Sequence, residues 1–236
     1  MDFQSSYQAI LTRCRKNCKT YLGWPSVVAG LTGKLAAGKS TVADMLRKQG
    51  IPIVDTDALA REAVEPGEHG LEELVEEFGK GILNADGSLD RCRMREMILA
   101  DKETQRRVEQ CIHPYVFRRM DCILKEFSDS GHDLAVVEVP LLFEAGWEVF
   151  FDCIVTVTAP DSLCMERLKK RNRVSRLAAA RWMAAQMPVE QKCARSDFVI
   201  SNDRGLEELA GQVVILAGKL RDMGKRKKIF KPERGK

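Results

Sequence analysis

The sequence predicts an α/β fold: a five-stranded parallel sheet covered by helices on both faces. Two observations predict it. Five short apolar runs, over residues 27–32, 51–54, 134–139, 154–158 and 198–200, alternate along the chain with stretches of helical spacing. The first run leads into a glycine-rich segment and then a helix, the order in which parallel α/β sheets make their crossovers.

Residues 27–32 form the first strand and run into Gly33-Lys34-Leu35-Ala36-Ala37-Gly38-Lys39-Ser40, a complete G-x-x-x-x-G-K-[ST] pattern. Such a loop wraps nucleotide phosphates with successive backbone N–H groups, and its glycines let the backbone come close. Lys39 supplies a charge for the β/γ-phosphates. Ser40 supplies a hydroxyl for Mg²⁺ at the positive end of the following helix. Val42, Ala43 and Leu46 give that helix its apolar face and Gly50 stops it. The segment predicts a nucleoside-triphosphate binder.

Residues 51–54 read as a buried strand ending at Asp55-Thr56-Asp57, with a helix over 58–64 closed by Pro66-Gly67. Residues 68–129 read as a mostly helical insert. Leu71, Leu74, Val75 and Phe78 form one apolar face ended by Gly79, and Asp86-Gly87 marks a turn. Helices follow over 91–100 and 102–127, the second starting anew or bending at His113-Pro114. After the strands over 134–139 and 154–158 come helices over 162–170 and 175–186, capped by Asp161 and Ser175. A strand over 198–200 and a helix over 206–220 close the series. Ligands in parallel sheets sit at the carboxyl ends of the strands. That rule gathers the loop after Thr32, Asp55 and Asp57, residues 140–144 and the segment after Ile200.

With 236 residues, 44% hydrophobic and 31% charged, the chain is long enough for one sizeable domain and has an ordinary globular composition. No apolar run reaches the ~18 residues that span a bilayer, and the start of the chain lacks the apolar stretch of a secretory signal. The net charge of +4 sits at the ends: residues 219–236 hold nine Lys/Arg against Asp222 and Glu233, and the body between the ends is acidic. Basic ends of this kind are read as solvated extensions, and the acidic body argues against nucleic acid as a partner. The eight cysteines include no CxxC and point to reduced thiols in a cytoplasmic protein, with Cys153 and Cys164 as core residues.

Around the loop, the Asp55-Thr56-Asp57 carboxylates have two readings. One can accept a proton from an attacking hydroxyl, the two pointing to opposite sides if the strand continues; or they are a helix cap and a first-turn acid. Arg167, Lys169, Lys170, Arg171, Arg173 and Arg176 read as a basic lid that stabilises transferring phosphoryl charge, or as a solvated face. His113-Pro114 is a ligand-binding pair or a local structural feature. Phe143 and Trp147 pack in the core or cover a pocket.

In combination these segments resemble the dephospho-CoA kinase family. The resemblance rests on Gly30-Leu31-Thr32-Gly33 running into Gly38-Lys39-Ser40-Thr41, then Val54-Asp55-Thr56-Asp57 with Arg61, and His113-Pro114. It continues with Pro140-Leu141-Leu142-Phe143-Glu144, Arg167 to Arg171, Gln186, and Asp197-Phe198-Val199-Ile200 with Asn202. It implies an adenylate-kinase-like P-loop fold with a helical substrate-binding region over 66–129 and a lid over 171–195. Residues 1–26 would be an N-terminal extension, 27–220 the kinase domain and 221–236 a basic tail. The implied reaction moves the γ-phosphoryl of ATP, with Mg²⁺, to the ribose 3′-hydroxyl of dephospho-CoA. The resemblance makes Asp57 the base, with Lys39 and Arg171 beside it in catalysis. ATP would be held by Gly33, Lys34, Leu35, Ala36, Ala37, Gly38, Lys39, Ser40, Thr41 and Asn202, the last at the adenine. The acceptor would meet Thr32, Asp57, Arg61, His113 and Leu141.

The family loop usually reads Gly-Gly-Ile-Gly-Ser-Gly-Lys-Ser, so Lys34 and Ala36 stand here for two glycines. Lys34 adds charge at the phosphate rim, and Ala36 implies a loop that avoids a glycine-only conformation at that position. The alternatives are a nucleoside or nucleotide kinase of the same fold, or a P-loop nucleic-acid-binding regulator. The oligomeric state is not readable from the sequence.

Overall fold

The computed structural model describes residues 23–172 and 175–229. These form two compact units: Asp55–Ile123 is one, and the described residues before Asp55 and from Leu124 onward are the other. Residues 1–22 of the N-terminal extension, Cys14 and Cys18 among them, and Arg173 lie outside the described residues, as does the side chain of Arg171.

The second unit carries the sheet. Strands β1 (Val27–Gly33), β2 (Ile53–Asp55), β3 (Leu134–Glu138), β4 (Cys153–Thr158) and β5 (Phe198–Ser201) lie in the order β2-β3-β1-β4-β5. Pairing is parallel, with Ala29 of β1 opposite Val136 of β3 on one side and Cys153 of β4 on the other. All seven residues of β1 are buried. A strand with a neighbour on each edge and cover on each face has no solvent side, which is why its sequence is apolar throughout rather than alternating.

Two aspartates set the starts of the strands. The Asp152 carboxylate accepts the Val28 N–H at 2.8 Å, and that of Asp197 accepts the Ile154 N–H at 2.8 Å. Each therefore pairs a donor that the ladder leaves over where neighbouring strands are offset. β2 is shorter than expected and begins after Pro52. Proline has no N–H for the ladder, but its carbonyl still accepts the Val136 N–H at 3.0 Å.

Helix α1 (Lys39–Lys48) follows β1 and buries Val42, Ala43 and Leu46, the face its spacing predicts. After β4 come α6 (Asp161–Asn172), α7 (Arg176–Ala184) and α8 (Val189–Ala194), and α9 (Leu206–Ile229) closes the chain. The Ser175 hydroxyl accepts the Ala178 N–H at 3.2 Å, as its capping position predicts. Asp161 is instead the first helical residue of α6 and acts as a first-turn acid. Helix α9 runs past the expected end at Leu220, so part of the basic end is helical rather than a loose extension. Its continuation is anchored by Lys227, whose ammonium donates to the Ser26 carbonyl at 3.2 Å and to Asp152 at 2.6 Å.

In the first unit, α2 (Thr56–Glu62), α3 (His69–Phe78) and α4 (Arg91–Ala100) pack around Ala63, Leu71, Leu74, Ile82, Leu89, Met94 and Val108. The turn at Asp86-Gly87 is closed by a single antiparallel bridge between Leu83 and Leu89. Helix α5 (Lys102–Asp129) corrects the expectation of a new start at Pro114, which lies inside one unbroken helix. An interior proline costs ~3 kcal/mol. Val116, Phe117, Met120 and Leu124, all buried beyond it, offset that cost at about 1.5–3 kcal/mol each. Among the described residues no helix is long and apolar enough to cross a membrane.

Candidate nucleotide-binding site

The segment joining β1 to α1 adopts backbone conformations that side chains avoid, with φ of 149° at Gly33, 60° at Ala36 and 99° at Gly38. A Cβ on Gly33 would lie 2.1 Å from the Val157 carbonyl oxygen, and one on Gly38 2.2 Å from Asn202 Nδ2. The first contact is with strand backbone that cannot withdraw, so glycine is required there. Ala36 corrects an expectation: it takes up the left-handed conformation that the family's glycine would adopt, at a cost of roughly 1–2 kcal/mol for a residue with a Cβ.

Lys39 is 8% exposed, and its ammonium donates to the carbonyls of Gly33 and Lys34, both at 3.2 Å. A cation fixed against the loop backbone is a counter-charge for phosphate oxygens. No side chain caps α1 and no acid stands in its first turn. Its first N–H groups and the positive end of its dipole therefore favour an anion. Ser40 is exposed at this helix start.

The crest of the loop is tied from behind. Asn202, 5% exposed, donates through Nδ2 to the Ala37 carbonyl at 2.7 Å. Arg167 donates to the same carbonyl at 3.4 Å and to Asn202 Oδ1 at 3.5 Å. Arg167 thus separates from its exposed neighbours Lys169 and Lys170, a distinction invisible in a run of basic residues. The charge of Lys34 is taken up by an ion pair with the Asp161 carboxylate at the start of α6. Burial pushes the Cys164 thiol above its ordinary range, in keeping with its core position.

Thr32 is fully buried, and its hydroxyl donates to the Pro140 carbonyl at 3.2 Å. Leu141 follows in the same connection and is partly exposed. Phe143 and Trp147 both pack in the core, at 5% and 2% exposure. The loop residues, Thr32, Leu141 and Asn202 accordingly share one unit, while Asp57, Arg61 and His113 belong to the other.

The two acids at the end of β2 and the start of α2 divide their roles. The Asp55 carboxylate accepts the N–H groups of Asp57 and Ala58 at 2.9 and 3.1 Å and so caps α2. The helix begins at once, and the strand-like alternation of the two acids does not occur. Asp57 is exposed in the first turn of α2, with Arg61 exposed one turn on. On α5, burial lowers the His113 imidazole to a pKa of about 4.

A parallel α/β sheet whose first strand delivers a lysine-bearing phosphate loop into an uncapped helix defines a P-loop nucleotide-binding fold. A family model described as dephospho-CoA kinase matches residues 27–208, and the chain belongs to that family. A dephospho-CoA kinase of Anaeromyxobacter dehalogenans is 44% identical over 194 residues, 82% of this chain and 92% of the relative. A crystal structure from Thermus thermophilus superposes with a TM-score of 0.72 at 34% identity, covering 83% of this chain and 97% of the other. A dephospho-CoA kinase structure from Campylobacter jejuni, 23% identical, shares the fold with a TM-score of 0.60 over 83% of this chain and 97% of its own.

Two predictions follow from these environments. Ala36→Gly removes the left-handed penalty and should raise the free energy of unfolding by about 1 kcal/mol, read as a higher urea midpoint. A lower midpoint would mean that residue 36 does not hold this conformation in solution.

For His113, the unfolded chain takes up its proton near 6.5 and the folded chain only at about 4. Between those values the unfolded state binds more protons, so stability falls as pH falls through the window, by on the order of 3 kcal/mol at its acid end. Urea titrations at several pH values should give a steeper acid loss for wild type than for His113→Gln. Equal slopes would contradict the buried neutral imidazole.

Proposed function

We propose that this chain transfers the γ-phosphoryl group of ATP to the ribose 3′-hydroxyl of dephospho-CoA, giving coenzyme A and ADP. The observation that carries this reading is the loop from Gly33 into α1 with the Lys39 ammonium held on its carbonyls, in a chain of the dephospho-CoA kinase family. Phosphoryl transfer is catalysed mainly by positioning and charge stabilisation. Backbone N–H groups, Lys39 and the start of α1 supply these for the nucleotide. Mg²⁺ is proposed to accompany ATP, with Ser40 offering one hydroxyl oxygen. That suits an ion that keeps several waters and takes its remaining ligands from phosphates. Bound with ATP, it would offset charge on the β- and γ-phosphate oxygens.

Asp57 is proposed as the base that accepts the 3′-hydroxyl proton as the new O–P bond forms. The capping bonds of Asp55 support this choice, since they occupy the other carboxylate. Arg171 is proposed as the lid arginine for the transferring group. Arg61, His113 and Leu141 are each proposed to meet the acceptor, the neutral imidazole acting by hydrogen bonding and shape rather than charge. Thr32 would serve by holding Pro140, and Asn202 would both tie the loop and meet the adenine. Cys92, Cys111, Cys122, Cys164 and Cys193 carry free thiols, which supports a proposed cytoplasmic location.

ATP should phosphorylate dephospho-CoA in preference to nucleosides and nucleoside monophosphates, as measured by mass spectrometry of an acceptor panel. Turnover of a nucleoside monophosphate without dephospho-CoA phosphorylation would instead support the nucleotide kinase of the same fold. Asp57→Asn should lower kcat by about 10²–10⁴-fold with MgATP binding retained. A larger loss for Asp55→Asn than for Asp57→Asn would move the base.

A further inference from the structure

A buried cation outside the phosphate loop is not used by this account. Lys192 on α8 has no exposed surface, and its ammonium lies 2.9 Å from Glu144 Oε1 and 3.3 Å from the Pro140 carbonyl. A lysine is buried at high cost unless it is paired, so its position is tightly specified by those partners. The other Glu144 oxygen is buried with no hydrogen-bond partner among the described residues. Lys192 thus supplies the cation paired with that carboxylate. Behind Lys192, its carbonyl accepts the Ser196 hydroxyl at 2.8 Å, and the Ser196 and Thr156 hydroxyls are 2.6 Å apart, which seats the end of α8 on β4.

The segment leading into α8 connects this pair to the phosphate loop. Gln186 Oε1 accepts the Leu35 N–H at 2.9 Å, and the next N–H, that of Met187, donates to Glu144 Oε1 at 2.9 Å. One strut thus carries Gln186 on the phosphate loop and Met187 and Lys192 on the connection after β3. That connection is held on its other side by the Thr32 hydroxyl, on the same Pro140 carbonyl that Lys192 uses. Arg195, paired with Glu148, adds its guanidinium 4.5 Å above the Phe143 ring.

We propose that Lys192 and Gln186 are positioning residues: through Glu144 and the Leu35 N–H they lock the connection over residues 140–144 to the phosphate loop at a fixed separation. Neither touches the reacting atoms. Leu141 lies in that connection, so its assignment to the acceptor rests on the function proposed above. Loss of the strut would loosen the acceptor side more than the nucleotide side, because the phosphate loop keeps its separate ties to Asn202 and Arg167.

The test uses the full chain and two variants. Lys192→Met alone leaves the Glu144 carboxylate, half-buried with one oxygen out of solvent, without its cation and invites misfolding. The pair Lys192→Met with Glu144→Gln removes both charges and keeps an acceptor for Met187. This double variant should raise the KM for dephospho-CoA by about tenfold, the scale of one lost buried hydrogen bond, with MgADP affinity within about twofold of wild type. Both it and Gln186→Ala should speed hydrogen exchange at the Leu35 amide by about tenfold or more. Wild-type acceptor KM in the folded double variant, or a parallel loss of nucleotide affinity, would overturn the proposal. If the wild type binds nucleotide but leaves dephospho-CoA unmodified, the function reading fails and the exchange arm decides alone. Unchanged Leu35 protection in either variant then overturns the strut, and accelerated exchange in both sustains it.

Discussion

A loop that receives phosphate must turn successive backbone N–H groups to one side, and the rest of the nucleotide end depends on holding that shape. Positive φ at three positions between β1 and α1 accomplishes the turn, yet only Gly33 and Gly38 are glycines there. Ala36 adopts the same kind of conformation with a Cβ to accommodate. The penalty is small beside the interactions that surround it. Ala37 is tied through its carbonyl to Asn202 and Arg167, Leu35 through its N–H to Gln186, and Lys34 through its side chain to Asp161. Residues from α6, from the segment after α7 and from the segment after β5 thus hold three positions of the loop, Lys34, Leu35 and Ala37, on either side of Ala36.

That arrangement explains how the family's loop can lose two glycines. Lys34 is not a loose charge at the rim, since Asp161 neutralises it. Lys39 remains the ammonium placed on the loop carbonyls. The two substitutions change the cost of forming the loop and the charge around it, while the glycine that meets the Val157 carbonyl stays unchanged.

The order of strands and helices was legible because burial on both sheet faces writes itself as apolar runs, and because a glycine-rich turn before a lysine has few other uses. The alternation failed where tertiary packing decides. Pro114 reads as a new start or a bend, but buried residues on both sides of it hold α5 as one continuous helix. Asp55 and Asp57 look equivalent until the strand ends and the first of them caps α2. Nothing in the sequence marks Lys192 as buried, because its partner, Glu144, is distant along the chain. Arg167 is hidden in a basic run for the same reason: only its distance to the Ala37 carbonyl distinguishes it from Lys169 and Lys170. Backbone torsion at Ala36 has no signature in a sequence, and that is the site's largest departure from expectation.

We propose that a nucleoside triphosphate binds the backbone from Gly33 into α1, where the Lys39 ammonium lies on the loop carbonyls. The direct measurement is a MgATP titration followed by amide chemical shifts. Saturable shifts should concentrate over residues 33–41, with a common dissociation constant that weakens strongly in Lys39→Ala. Saturable shifts confined to other parts of the chain, or an unaltered dissociation constant in Lys39→Ala, would contradict it.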